Sequence, residues 1–588
     1  MVFEEESVIL LLKRLWQQIN AKRKKQLGLI MVIMLMASVA ELVSIGAVIP
    51  FLGVLANPEV VFQYEGLQYF INYFGITDSS QLLLPFTVMF SIAAVLAALT
   101  RIILVWSQAV LAHAIGADFS YQIYKHTLYQ SYSTHIARNS SEVIAAISTK
   151  TDQVVSQTLL PVLNILSSII MLSMILMMLI AIHPVMTISA MAGFAFIYSV
   201  IILSTKKKLL LNSNTISQNT SITVKFLQEG LGGIRDILID GTQATYCRAF
   251  QAVDLARRRA LVNNRIIGQS PRYGIESLGM VLIAWLAFSL SDTETGLISA
   301  LPIIGALALG AQRMLPMLQN IYGSLSSIRG GQGILQDSLV LLEQSLPKYA
   351  NKLTSETILF QKVIQLNNLG FRYQKNTPLV LSEINLEIPK GSIIGFIGTT
   401  GSGKSTLLDI IMALLHPSKG SLEVDGVEIN TNNYRGWQSH IAHIPQNIYL
   451  SDATIAENIA FGLPKDKIDY QRVVSVAQKA QIDETIQSWK QQYDTVVGER
   501  GVRLSGGQRQ RIGIARALYK HADVLIFDEA TSALDNSTEK AVMDAIDEIS
   551  KDVTILIVAH RLSTLKNCDL IVELENGKAH YKKELKKI

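Results

Sequence analysis

Six stretches of this chain are apolar for long enough, or nearly so, to cross a membrane as helix. They are approximately 27–55, 82–112, 157–181, 184–204, 275–291 and 296–322. A bilayer core of about 30 Å needs roughly 20 apolar residues. One such run can be a buried core helix, but a soluble fold rarely holds six within its first 325 residues. The polar stretches between them are unequal. Those at 57–81, 182–183 and 292–295 carry no lysine or arginine. The other two, about 44 and 70 residues long, are rich in them: Lys206–Lys208 follow the fourth span and Arg257–Arg259 precede the fifth. Basic loops stay on the inner side, so both termini are expected in the cytosol. The long inner loops read as membrane helices continuing past the bilayer. "LGGIRDILIDG", with Gly232, Gly233 and Gly241, interrupts one of them as a contact elbow.

The first apolar run follows "KRKK" at 22–25. It exceeds a signal core of roughly 7–15 residues and reads as a retained span. The outer stretch 62–74 contains Phe62, Tyr64, Tyr69, Phe70, Tyr73 and Phe74, which suit a membrane–water interface.

From about Leu359 the pattern changes to short β-rich runs alternating with helical ones, as in an α/β domain. The expected division is a membrane domain at 1–340, a linker at 341–358 and a second domain at 359–588. Composition agrees with this split. The 588 residues are 49% hydrophobic and only 17% charged, against about 25% in soluble domains. A net charge of +5 gives no reason to expect nucleic acid as a partner. Two cysteines, Cys247 and Cys568, exclude a disulfide framework or a zinc cluster.

The second domain carries chemistry. "GTTGSGKST" follows a strand and opens a helix, placing Gly398, Thr399, Thr400, Gly401, Ser402, Gly403, Lys404, Ser405 and Thr406 in a phosphate-binding loop. Glycines let backbone N–H groups close around phosphate, and the helix offers its positive end. Lys404 suits the β and γ phosphates of ATP, and Ser405 suits Mg²⁺. "VLIFDE" ends an apolar strand on Asp528, a second Mg²⁺ ligand, and Glu529, which can orient or deprotonate the attacking water. "LSGGQ" places Ser505, Gly506, Gly507 and Gln508 before another helix, a second anion cradle. One ATP hardly needs two cradles from one domain, so this one is expected to serve the ATP of a partner copy. His560 ends "TILIVAH", within reach of the γ-phosphate.

These motifs together resemble the ATP-binding cassette (ABC) transporters, and six spans before one cassette is the layout of an exporter half-transporter. The resemblance implies an all-α six-helix transmembrane domain, then an α/β P-loop cassette, in a domain-swapped homodimer clamping two ATP molecules. It also implies that Tyr373 stacks on adenine and that Gln446 meets both Mg²⁺ and the membrane domain. Glu499, in "TVVGERG", resembles the exporter loop that touches the inner elbows, and Asp535 resembles a dimer contact. Thr399-Thr400 stands where many exporters carry a serine before the second glycine, with no expected loss of activity.

Arg101, Arg272 and Arg313 fall at similar depth; at 1.5 Å per residue, Arg313 lies about 25 Å and Arg101 about 30 Å from the outer ends of their spans. An arginine at the bilayer centre costs about 2.5–3.5 kcal/mol, so these must be shallow, hydrated or paired. Two readings stand open. In one they snorkel to the inner interface, with Glu41 as a partner for one of them. In the other they form a cationic belt drawing a phosphate-bearing lipid headgroup. The contexts "PRYGIESLG", "ALTRIIL" and "AQRMLP" resemble belt positions in bacterial flippases of lipid-linked oligosaccharides. Cyanobacterial envelope-polysaccharide exporters are similar too. The resemblance implies export of a polyprenyl-diphosphate-linked glycan across a bacterial inner membrane. A broad drug or lipid exporter is the alternative transporter. An ATP-gated channel or a sensor is the alternative of another class.

Overall fold

The structure is a computed structural model that describes all residues except 1–5, 57, 65–76, 183, 292–295, 348–349, 351–357, 530–535, 548–552, 559–564, 566–567 and 583–588. The chain divides into two compact units. One comprises Met1–Tyr129 and Arg138–Leu346, the other Gln130–Ala137 and Pro347–Ile588.

The first unit is entirely helical in its described elements. α1 (Val8–Gln18) buries Leu11 and Leu15 and is capped by the Ser7 side chain. α2 (Ala21–Ala56) follows, with Pro50 inside it. α3 (Leu83–Leu128), α4 (Leu160–Ile182), α5 (Pro184–Gly232), α6 (Gln243–Ser291) and α7 (Gly296–Gly330) complete the long helices. α5 and α6 have 49 residues each, about 73 Å at 1.5 Å per residue. Both therefore outrun a bilayer core of about 30 Å. Between them, Ile234–Ile239 forms a short helix and Gly241 turns with φ +64°. Among the described residues, three helical stretches are long and apolar enough to cross a membrane: Ala21–Leu55, Ser79–Leu128 and Ser140–Ala181.

The third of these winds wide twice, as π turns at Ala146–Lys150 and Val155–Leu159. Such turns are rare and mark places where a helix must re-aim its side chains. Here the gain is close packing: a Cβ on Gly116 of α3 would stand 2.4 Å from Val155 Cγ2. It also places Lys150, 4% exposed, on Asp337 of α8 (Gln332–Leu342), at 2.6 Å. The Ser217 hydroxyl of α5 donates to the same carboxylate.

The second unit has two sheets. The antiparallel one runs β2-β1-β4-β5, from β1 (Val363–Phe371), β2 (Leu381–Pro389), β4 (Lys419–Val424) and β5 (Val427–Glu428). The larger runs β10-β9-β3-β8-β7-β6, from β3 (Ile393–Ile397), β6 (Ile441–Ile444), β7 (Val524–Asp528), β8 (Thr554–Val558), β9 (Leu570–Glu575) and β10 (Lys578–Lys582). Its central strands are parallel. β3, β7 and β8 are almost continuously apolar and buried, as strands covered on both faces must be. Parallel pairing brings their C-terminal ends to one edge, where α/β sheets bind ligands. The helical turn Tyr132–Ala137, from the stretch between α3 and α4, belongs to this unit.

Candidate functional site

The phosphate loop leaves β3 and enters α9 (Lys404–Ile411). Glycine is required here by space as much as by backbone angle. Gly398 has φ +149°, and a Cβ would lie 2.3 Å from the Leu574 carbonyl. Gly403 has φ +101°, and a Cβ would lie 2.7 Å from Leu381 Cδ2. The Lys404 ammonium lies inside the loop and donates to the carbonyls of Gly398 (2.7 Å) and Thr399 (3.0 Å). Ser405 and Thr406 are the next residues of α9. The Thr406 hydroxyl lies 3.0 Å from that of Tyr373, whose ring is half-exposed and edge-on to Phe371. Ser402 Oγ is buried and, among the described residues, has no hydrogen-bond partner. A loop with an inward ammonium and an unpaired hydroxyl fits a phosphate chain.

The acids stand on the neighbouring strands. Asp528 ends β7 and Glu529 follows it. Burial, with Glu529 beside it, pushes the Asp528 carboxyl up from its usual range; Lys404 pulls it back. Glu529 adopts φ +51°, rare outside glycine and typical of strained functional positions. Its N–H donates to the Val558 carbonyl at 3.1 Å. Its carboxylate accepts from the side-chain amide of Gln446, at 2.8 Å, just beyond β6. Asp409, one turn into α9, is pushed up to about 6 by burial and by the Asp528 charge. Two carboxyls raised by burial and by a neighbouring carboxylate, Asp528 by Glu529 and Asp409 by Asp528, fit a site that takes a divalent cation. Among the described residues no cluster of three metal-ligating side chains forms. Mg²⁺ takes one or two protein oxygens and otherwise phosphate and water. Asp528 and Ser405 would hold it.

The second cradle is built by a reciprocal cap. The Ser505 hydroxyl accepts from the Gln508 N–H at 3.2 Å, and the Gln508 side chain accepts from the Ser505 N–H at 2.8 Å. Gly506 and Gly507 open α11 (Gly506–Tyr519), numbered after α10 (Tyr470–Lys479). Arg516 of α11 donates to the carbonyls of Asn458 (2.8 Å) and Tyr449 (2.9 Å) and lies over the Phe461 ring. Burial lowers its pKa to about 10. Glu499 sits in a single helical turn, Glu499–Gly501.

Thus the loop residues, Tyr373, Gln446, Asp528 and Glu529 gather at one region of the second unit. His560 and Asp535 lie outside the described residues, as do Tyr69, Phe70, Tyr73 and Phe74; Phe62 and Tyr64 are described. In the first unit, Arg101 is half-buried on α3. The backbone of Arg313 belongs to α7, and its side chain lies outside the described residues. Arg272 lies within α6, where it pairs with Glu276 at 2.8 Å. Glu276 also accepts from Gln319 of α7. Glu41, weighed as an arginine partner, is buried on α2.

Four participants escaped the sequence reading. Glu276 stands four residues after Arg272, a helical spacing that could have revealed it. Asp409 and Arg516 sit on helices with other polar or charged residues, and no motif marks either one. Tyr132 comes from a distant loop. Its hydroxyl is raised by burial and by its approach to Asp409 and Tyr373.

Comparison with known proteins follows the same division. The family described as ABC transporter transmembrane region matches residues 27–308, and that described as ABC transporter matches 381–532. An ATP-dependent lipid A-core flippase of Haemophilus influenzae is 34% identical over 304 residues, 52% of this chain and 51% of its own. The ATP-binding cassette sub-family B member 10, mitochondrial, of Mus musculus is 32% identical over 377 residues, 62% of this chain and 52% of its own. The chain spans about half the length of these curated relatives. A solved bacterial Atm1-family ABC exporter with ATP bound superposes with a TM-score of 0.77 at 21% identity, covering 95% of each chain. That likeness establishes the fold.

Proposed function

Since this chain is an ABC exporter, with a helical transmembrane region joined to an ATP-binding cassette, we propose that it hydrolyses ATP to move a membrane lipid between leaflets. The observation that carries this is one sheet edge on which Lys404, Asp528, Glu529 and Gln446 converge. Lys404 and the loop N–H groups hold the phosphates. Asp528 and Ser405 would hold Mg²⁺, which when bound would supply positive charge beside the phosphoryl oxygens. Glu529 takes a proton from the attacking water as the bond to the leaving phosphate oxygen breaks. Gln446 keeps the Glu529 carboxylate aimed. Two copies are required, because the Ser505–Gln508 cradle completes the site of the partner copy, and Asp535 and His560 act at that junction.

The cargo we assign is a lipid-linked oligosaccharide or similar polyprenyl-diphosphate glycolipid, carried to the outer leaflet of a bacterial inner membrane. Relatives named as lipid A-core flippases support a lipid cargo. Arg101, Arg272 and Arg313 support an anionic headgroup. A second reading, a broader lipid exporter, is favoured by the Arg272–Glu276 pair, since a neutralised arginine attracts an anion less. Reconstitution into vesicles decides between them. Polyprenyl-diphosphate glycan should stimulate ATPase and cross the bilayer, and an uncharged lipid should not. Equal transport of both supports the broader exporter, and ATPase unaffected by any lipid overturns the proposal.

A further inference from the structure

A cavity of about 320 Å³ lies between α1 and the starts of α2 and α4, with α3 behind it. Leu15, Met34, Ile115 and Leu163 line it, and its one charged group is Lys24. The Lys24 ammonium stands 5.4 Å from the centre of the Trp16 ring, which is half-exposed beside the same opening. The neighbouring cation has another role: Arg23 bonds Asp118 (Nε–Oδ2 2.9 Å) and Gln26. Among the described residues no carboxylate pairs with Lys24. Gly28, one turn further along α2, leaves the wall open, since a Cβ there would meet nothing within 4 Å.

This volume is at the lower end of small-molecule sites, roughly 300–1,000 Å³. Apart from Lys24 and the Trp16 indole its walls offer water no partners, and apolar cavities do not hold water stably. At the end of a membrane helix, the apolar molecule in large excess is a lipid chain. A lysine beside a tryptophan at that level suits a phosphate, the tryptophan marking the interface and the lysine supplying charge.

We propose that this cavity holds one acyl chain of an anionic phospholipid, with its headgroup phosphate on Lys24. The lipid is a resident of α1–α2 rather than cargo. The site braces α1, whose buried face is only Leu11 and Leu15, against α2. The inference rests on the reading of α2 as a membrane span, and not on cargo, direction or ATP use.

The test is native mass spectrometry of the purified full chain after equilibration in mixed micelles of equal phosphatidylglycerol and phosphatidylcholine. The wild type should retain one lipid more per chain than Gly28→Trp, in which the indole fills the cavity. That lipid should be phosphatidylglycerol by about fivefold, the preference one lysine confers near a membrane surface. Lys24→Gln should keep the lipid and lose the preference. Leu166→Trp, which fills the same space from α4, reads the same count if Gly28→Trp does not purify. A count unchanged by both tryptophan variants overturns the proposal, as does a preference unchanged by Lys24→Gln. Neither readout involves ATPase or transport, so failure here leaves the proposed function standing, and the reverse holds too.

Discussion

The side-chain amide of Gln446 donates to the Glu529 carboxylate across 2.8 Å, joining the ends of two neighbouring parallel strands. Glu529 holds this position at φ +51°. A carboxylate held by a side-chain amide is aimed, which a base acting on water needs. Glu529→Gln should bind ATP normally and lower turnover by about 10²–10⁴-fold. Steady-state ATPase with a nucleotide-binding assay checks both, and near-normal turnover would reject Glu529 as the base.

Lys404 is held by two loop carbonyls, so it is positioned before any phosphate arrives. Lys404→Ala should weaken ATP binding by roughly 10–100-fold, the loss of one charged hydrogen-bonding group. Gly403→Ala, whose new methyl meets Leu381 Cδ2 at 2.7 Å, should lose binding too while the cassette stays folded. Titration with a fluorescent ATP analogue, alongside circular dichroism, separates the two effects.

Asp409 predicts a pH dependence. Its folded pKa, about 6, lies above the ordinary 3.8. For an acid raised in this way, the folded state prefers the protonated form. Stability is then greatest below the unfolded pKa and declines as pH rises from about 4 to 6. Asp409→Asn should flatten that decline and stabilise the cassette at pH 7, on the order of 1–2 kcal/mol after discounting for partial exposure. Thermal unfolding at pH 4.5 and 7 measures it, and a wild-type midpoint independent of pH would contradict it.

The Lys150–Asp337 pair is buried on the lysine side. Removing one partner strands a charge, so Asp337→Ala should destabilise the helical unit by about 3–5 kcal/mol. The double change Lys150→Met with Asp337→Leu should recover most of that. Equal unfolding midpoints for single and double variants would exclude coupling through this contact.

Arg272 is exposed and Glu276 partly so, and a surface i,i+4 pair is worth about 0.3–0.5 kcal/mol. Arg272→Ala should therefore leave stability unchanged. If the belt reading holds, it should cut lipid transport severalfold and spare basal ATPase. Flux and hydrolysis measured on the same vesicles decide it; unchanged flux leaves the arginines as interfacial anchors.

The sequence alone determined the order of parts. Long apolar runs and a glycine loop between strand and helix are local signals, each dictated by its own few residues. Hence the six apolar stretches, the loop from Gly398 to Thr406 and the acids Asp528 and Glu529 could all be read in advance. Tertiary structure alone decided contacts between residues far apart in the chain. It set Gln446 on Glu529, Lys150 under Asp337, Arg516 on the Asn458 backbone, and Tyr132 near Asp409. It also decided that Arg272 answers to Glu276. Such contacts depend on strand order, helix crossing and burial, which fix charge and geometry only after the chain has closed on itself.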